Sequence, residues 1–298
     1  MTDASASASP SASPAAARPR GERPVRTQHV LTVLRTERFG DHLARVHLGG
    51  PGFDAFAAEA DPAALATTDK YVKLLLPRAG VDVEPPYDLD ALRATLAPED
   101  LPVRRTYTIR SVDPANRSLA IDFVLHGDDG VAGPWAASAV PGDRIAFNGP
   151  GGAWSPSTEP GAFHLLLGDD SALPAIAAAL ESMPAHASGL ALIEVHGAED
   201  EQPLPAPDGV EVRWLHRGEL AAGRALVAAV RAESRPTGVL DVFAHGERGA
   251  MKELRALLQD DWGLERRALS LSAYWALGRA EDRFQAEKRE PVGEIFAD

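Results

Sequence analysis

At 298 residues, with 45% hydrophobic and 24% charged positions, the chain is long enough for two ordinary cores and has a globular composition. Its formal net charge of -13 excludes nucleic acid as a partner and disfavours an anionic membrane surface, since both need a basic face. The absence of cysteine excludes disulfides, thiolate metal sites, iron–sulfur clusters and thiol nucleophiles, so redox chemistry here requires a bound organic cofactor.

Residues 1–25 are rich in Ala, Ser and Pro and end near Arg18-Pro19-Arg20-Gly21-Glu22-Arg23. This order is the reverse of a signal peptide, in which charge precedes an apolar run of about 7–15 residues, and the composition predicts a flexible tail. No apolar run approaches the ~20 residues of a membrane span. The expected location is the cytoplasm, without stable membrane association.

From residue 26 the pattern is short strands between turns. Strands are predicted at Thr27–Thr36, Leu43–Leu48, Tyr71–Leu76, Val103–Arg110, Leu119–His126 and Arg144–Phe147. Gly49-Gly50-Pro51-Gly52 and Pro85-Pro86-Tyr87 mark longer loops, Asp88–Leu96 a short helix, and Pro141-Gly142-Asp143 a turn. Six such strands predict a small antiparallel barrel. After Pro160 the pattern changes. Phe163–Leu167 is a continuous apolar strand, and Leu173, Ile176, Ala177 and Leu180 then recur at helical spacing, with Pro174 in the first turn. Strands Leu190–His196, Val210–Leu215, Val239–Ala244 and Leu269–Trp275 follow, with helices at Leu220–Ala232, Glu247–Gln259 and Arg279–Arg289. Buried strands alternating with helices predict a mostly parallel sheet covered on both faces.

Arg105-Thr106-Tyr107-Thr108 carries the clearest chemistry. Arg105 and Tyr107 share a strand face, so a guanidinium for a phosphate lies beside a phenol for a planar ring. Thr108 adds a hydroxyl and a backbone N–H. Downstream, Asp122, Val124 and His126 lead into a Gly-rich turn and a short helical stretch at Ala132-Gly133-Pro134-Trp135, whose free N–H groups suit a pyrophosphate. Read alone, the tetrad also fits an exposed strand and His126 a satisfied loop histidine. The nine histidines are scattered, without the close pairing of a dedicated metal site, and no metal is expected.

Together these pieces resemble the siderophore-interacting protein family of ferric-siderophore reductases, over about Thr27 to Phe296. The family's R-x-Y-T motif is matched by Arg105, Tyr107 and Thr108, and its V-L-H-G…G-x-A-x-x-W-A segment from Val124 through Ala136. Its acidic D-E-T-A-L-P-A-I element corresponds to Asp169-Asp170-Ser171-Ala172-Leu173-Pro174-Ala175-Ile176, and its Tyr-Trp strand and Gly-Arg helix start to Tyr274-Trp275 and Gly278-Arg279. The resemblance implies a Greek-key β-barrel domain binding FAD (26–158) and a ferredoxin-reductase-like α/β domain binding NADPH or NADH (159–298), ending in a helix. It implies that Arg105 holds FAD phosphate, Tyr107 packs on the isoalloxazine and Thr108 addresses the hydride-accepting nitrogen. Thr106, Asp122, Val124, His126, Ala132, Gly133 and Trp135 would line the FAD, and Asp169, Asp170, Ser171, Ala172, Tyr274 and Trp275 the flavin edge and nicotinamide. Tyr107, Thr108, Asp170 and Ser171 are the expected catalytic set, and a ferric siderophore is the expected substrate.

Two departures bear on that substrate. Gly151 stands where the family turn often has arginine, and Ala276 where many members place arginine after the Tyr-Trp pair. Lys73 and Arg279 remain as candidate cations. A less positive pocket predicts a preference for neutral or weakly charged chelates, with Ala276→Arg improving turnover of anionic ones. A generic flavin or quinone reductase and a non-catalytic FAD- or siderophore-binding module are the alternatives. No G-x-G-x-x-G decides between NADPH and NADH, and Arg213, Arg217 and Arg248 are candidates for a 2′-phosphate.

Overall fold

The computed structural model describes residues 27–127 and 130–296; the predicted tail lies outside them. The first half runs β1 (His29–Phe39), β2 (Leu43–Gly49), α1 (Phe53–Glu59), α2 (Pro62–Ala66), β3 (Tyr71–Leu76), α3 (Leu89–Thr95), β4 (Val103–Asp113), β5 (Ser118–Val124), α4 (Ala132–Ser138) and β6 (Arg144–Gly151). The strands close into a barrel in the order β1-β2-β5-β4-β3-β6, every pair antiparallel. Alternation sends Leu31, Val46, Leu74, Ile109, Ile121, Phe123 and Phe147 into one shared core.

All six predicted strands are present, several of them longer than predicted. Two short helices, α1 and α2, fill the stretch after Gly49-Gly50-Pro51-Gly52, which the sequence presents as loop. Phe53 and Phe56 bury α1 against the barrel, and Asp61 caps α2 by accepting the Ala63 N–H, with Pro62 in its first turn. Asp88 caps α3 in the same way, accepting from Asp90 and Ala91.

The second half runs β7 (Phe163–Asp169), α5 (Leu173–Ser182), β8 (Ser188–Val195), β9 (Gly209–His216), α6 (Arg224–Ala232), β10 (Leu240–Glu247), α7 (Arg248–Ala256), β11 (Leu269–Trp275) and α8 (Glu281–Glu287). Its five strands are all parallel, in the order β11-β10-β7-β8-β9. Apolar clusters on both faces explain why β7 reads as an unbroken apolar run. The predicted helix from Leu220 starts only at Arg224, because Gly223 is left-handed (φ +81) and the buried Glu194 carboxylate accepts the N–H groups of Gly223 and Leu226. No described helix is long and apolar enough to cross a membrane.

The two halves meet through polar clamps and apolar contacts. Arg45 donates to both oxygens of Asp122 (2.6 and 2.8 Å) and to Gln202 (2.9 Å). Arg110 on β4 pairs with Glu181 on α5. Leu43, from the barrel, packs in the cluster that holds Leu166, Val195 and Phe243 of the α/β half.

Candidate functional site

In an open parallel sheet, ligands bind outside the carboxyl ends of the strands. That edge here faces β4 of the barrel. A cavity of about 550 Å³ lies elsewhere, at the amino ends of the strands, lined by Phe163, Gly189, Gly209 and Trp262.

On β4, Arg105 and Tyr107 share a face as the alternation predicts. Tyr107 is half-buried, its ring 4.5 Å from Phe123, which lies 5.6 Å from Trp135 of α4. Burial raises the Tyr107 phenol well above its ordinary range, so it is neutral at any working pH. The Arg105 guanidinium donates to Asp282 at 3.0 Å. That carboxylate is two-thirds exposed, so it can yield the guanidinium to a phosphate. Thr106 is exposed, and His126 is exposed at the end of the β5 segment. Ala132 and Gly133 are buried at the start of α4, and Val124 and Trp135 are half-buried. Residues 128 and 129 of the Gly-rich turn lie outside the described residues. A guanidinium, an aromatic wall and a threonine in this order fit the phosphate and ring of a flavin nucleotide. Asp122 does not join them. Both of its oxygens are taken by Arg45, so its side chain serves the domain junction.

Thr108 is buried close to the Tyr274 phenol at the end of β11. This contact joins the R-x-Y-T strand to the carboxyl edge of the parallel sheet. Trp275 Nε1 donates to Asp169 (2.9 Å), which also accepts from Ser171 N–H (3.0 Å), Ser171 Oγ (2.5 Å) and Glu247 N–H (2.8 Å). Burial, then the Asp170 charge, pushes the Asp169 carboxyl up to about 6 against those bonds. Gly246 makes room for it, since a Cβ there falls 2.6 Å from Asp169 Oδ2. Asp169 is thus a hub tying β7, β10 and β11. Asp170 is raised by burial and opposed by Arg217, which donates to it at 3.0 Å. Ala172 is fully buried under β7, where it fixes the start of α5 and presents no surface to a ligand.

Two positions at this edge stand differently from the sequence reading: Arg217, a candidate there for a 2′-phosphate, and His245, which the sequence does not single out. Arg217 sits between Asp170 and Glu194, contributed by three different strand ends. His245 stacks on Phe243 at 3.9 Å and meets Tyr274 edge-on at 4.8 Å. Burial lowers its pKa to about 3 from a free value of 6.5. The neutral ring therefore contributes fully above about pH 6.5, and that contribution is lost as pH falls toward 3. His245→Phe is expected to lose less stability than the wild type between pH 7.5 and 4.5. Urea midpoints at both pH values check this; an identical offset at the two would remove the assignment.

Of the expected substrate cations, Lys73 is half-buried on β3 opposite Thr106 and Asn148, and it depresses the Lys288 amine, whose burial is the larger cause. Arg279 is committed to Glu287 at 2.9 Å. Glu287 also binds Arg248 (2.6 Å) and Arg283 (2.8 Å), and these guanidiniums, Arg248 foremost, hold its carboxyl down to about 2. The candidates for a 2′-phosphate are likewise paired: Arg213 with Glu211 and Glu233, Arg217 with Asp170, Arg248 with Glu287. Gly151 lies against the Tyr71 ring, where a Cβ would fall 2.6 Å from Cζ. Ala276 is buried with Ala273 and Phe284 beneath α8, not open to a substrate as its place in the motif suggests.

Comparison with known proteins agrees with this geometry. The model of the siderophore-interacting FAD-binding domain matches residues 32–154, and that of the siderophore-interacting protein matches residues 162–278. The ferric vibriobactin reductase ViuB of Vibrio cholerae is 30% identical over 90% of this chain and 96% of its own length. The chain belongs to the siderophore-interacting protein family. An uncharacterized protein of Mycobacterium tuberculosis is 45% identical over 89% of this chain and 96% of its own. The crystal structure of the siderophore-interacting protein SipS from Aeromonas hydrophila superposes with a TM-score of 0.73 at 29% identity, covering 91% of this chain and all of SipS. In fold alone the chain is also like the ferredoxin-NADP+ reductase of Plasmodium falciparum, with a TM-score of 0.59, 7% identity and 83% and 96% coverage. Membership places the protein among siderophore-related flavin oxidoreductases.

Proposed function

We propose that this protein is a cytoplasmic FAD-dependent reductase that passes electrons from NADH or NADPH to a ferric siderophore, so that iron leaves as Fe(II). The observation that carries this reading is the docking of the R-x-Y-T strand on the α/β half, with Arg110 of β4 paired to Glu181 of α5 and Thr108 close to the Tyr274 phenol at the carboxyl edge of the parallel sheet. FAD when bound supplies the conversion between a two-electron hydride donor and a one-electron ferric acceptor. Arg105 holds its phosphate, Tyr107 supports the ring and Thr108 addresses the nitrogen that accepts hydride. His126 and the Ala132–Trp135 turn take the pyrophosphate. Asp170, positioned by Arg217, and Ser171, positioned by Asp169, orient the nicotinamide beside Tyr274. Lys73 borders the acceptor side. The ferric siderophore is substrate, and no resident metal is required for its reduction.

Purified protein is expected to release FAD and to lose its flavin colour on anaerobic addition of NADH or NADPH. Arg105→Ala is expected to weaken FAD binding roughly 10–100-fold, because a charged hydrogen bond to phosphate contributes about 1.5–3 kcal/mol. Asp282→Ala is expected to tighten it a few-fold, since an exposed ion pair holds Arg105 back by only about 0.2–1 kcal/mol. Flavin titrations of the three proteins check both. Full retention of FAD by Arg105→Ala, or a bound flavin that neither nicotinamide reduces, overturns the reading. A flavin or quinone reductase is the second reading, favoured by the two absent arginines. Dye reduction without iron release from any ferric chelate selects it.

A further inference from the structure

At the turn between β1 and β2, the barrel meets the chain leaving β8, and two histidines and two carboxylates converge there. His42 comes from the barrel, and His196, Glu199 and Asp200 come from within five residues of the α/β half. One ligand-type atom from each lies within 4.8 Å of the other three. The two imidazoles stack, centroids 4.2 Å apart and planes at 27°. His42 Nδ1 lies 3.1 and 3.0 Å from the two Asp200 oxygens. His196 Nδ1 is 3.7 Å from Glu199 Oε1, beyond hydrogen-bond range, and this buried nitrogen has no hydrogen-bond partner. Two glycines admit the carboxylates: a Cβ on Gly40 falls 2.4 Å from Asp200 Oδ1, and one on Gly197 falls 2.5 Å from Glu199 Oε2.

A hydrogen-bonded domain contact accounts for His42 and Asp200. It does not account for the second imidazole stacked on the first with its nitrogen unpaired, nor for Glu199 folding in beside it. We propose that His42, His196, Glu199 and Asp200 bind one divalent transition-metal ion of the zinc type, joining the two domains. Two imidazoles and two carboxylates are a borderline donor set, suited to zinc and its first-row neighbours and poor for magnesium. In a tetrahedral site with metal–ligand bonds of about 2.0–2.1 Å, ligand atoms stand roughly 3.3 Å apart. The group must contract by about 1.5 Å at its widest, and half-exposed Glu199 is the arm free to move. Because one ligand comes from the barrel and three from the sheet domain, the ion acts as a cross-link between them.

The test uses full-length, chelator-treated protein with its flavin retained, titrated with Zn²⁺ and separately with Mg²⁺ by calorimetry and thermal scanning. One equivalent of Zn²⁺ is expected to bind with a dissociation constant below about 10 µM. At ~100-fold excess over that constant the melting temperature should rise by roughly 5 °C. His196→Ala and Glu199→Gln, which break no hydrogen bond to the barrel, should each fold as the wild type and bind Zn²⁺ at least about tenfold more weakly. No Zn²⁺ heat up to about 1 mM, equal binding of Mg²⁺, or unchanged affinity in both variants overturns the proposal.

Discussion

Arg45→Ala is expected to lower the unfolding free energy by about 3–5 kcal/mol, because it strands a buried carboxylate. Asp122 has a side chain only 1% exposed, and Arg45 occupies both of its oxygens. Removing the guanidinium leaves that charge without a partner in a poorly solvated junction. It also releases Gln202, an Arg45 partner from the other half, and the Phe39 ring beneath the guanidinium. Arg45→Met combined with Asp122→Leu is expected to recover most of the loss, since a matched apolar pair carries no charge to desolvate. Urea unfolding of the single and double variants, followed by circular dichroism, checks both. A loss below about 1 kcal/mol in the single variant would show that water reaches Asp122 and that the clamp is a surface pair.

This clamp shows where sequence reasoning reaches its limit. Asp122 lies on an alternating strand just before His126, so its neighbours along the chain suggest a cofactor role, while its true partner stands 77 residues away. The barrel and sheet are legible because alternation and apolar runs are local properties. R-x-Y-T is legible because two-residue spacing on a strand fixes a shared face. His245 is not, and Arg217 is legible only as a candidate phosphate ligand, since the carboxylates around it come from separate strand ends. The pairing of His42 with His196 is hidden in the same way: the histidines are scattered in sequence, and only the docking of the β1–β2 turn on the end of β8 stacks them. Helices α1 and α2 are missed because Gly and Pro dominate their approach, although Asp61-Pro62 is an ordinary helix start.

The same contrast between chain neighbours and packing governs position 276. From the motif alone, an arginine there extends toward an anionic substrate. In the structure Ala276 is 2% exposed and lies against Ala273 and Phe284, itself 1% exposed. Ala276→Arg is therefore expected to destabilise the protein by about 3 kcal/mol or more, combining overpacking of about 1–3 kcal/mol with the cost of an unpaired buried cation. The strain falls on α8, which is held by Phe284 and by Arg248 and Arg279 on Glu287. Release of α8 should expose the chain around Leu277–Arg289 to limited proteolysis. It also withdraws Asp282 from Arg105, so FAD affinity should hold or rise slightly while thermal stability falls. Turnover of anionic ferric chelates at low salt should not improve. A variant as stable as the wild type and faster on those chelates would mean that the new side chain finds an open path past Phe284, and position 276 would then belong to the substrate site after all.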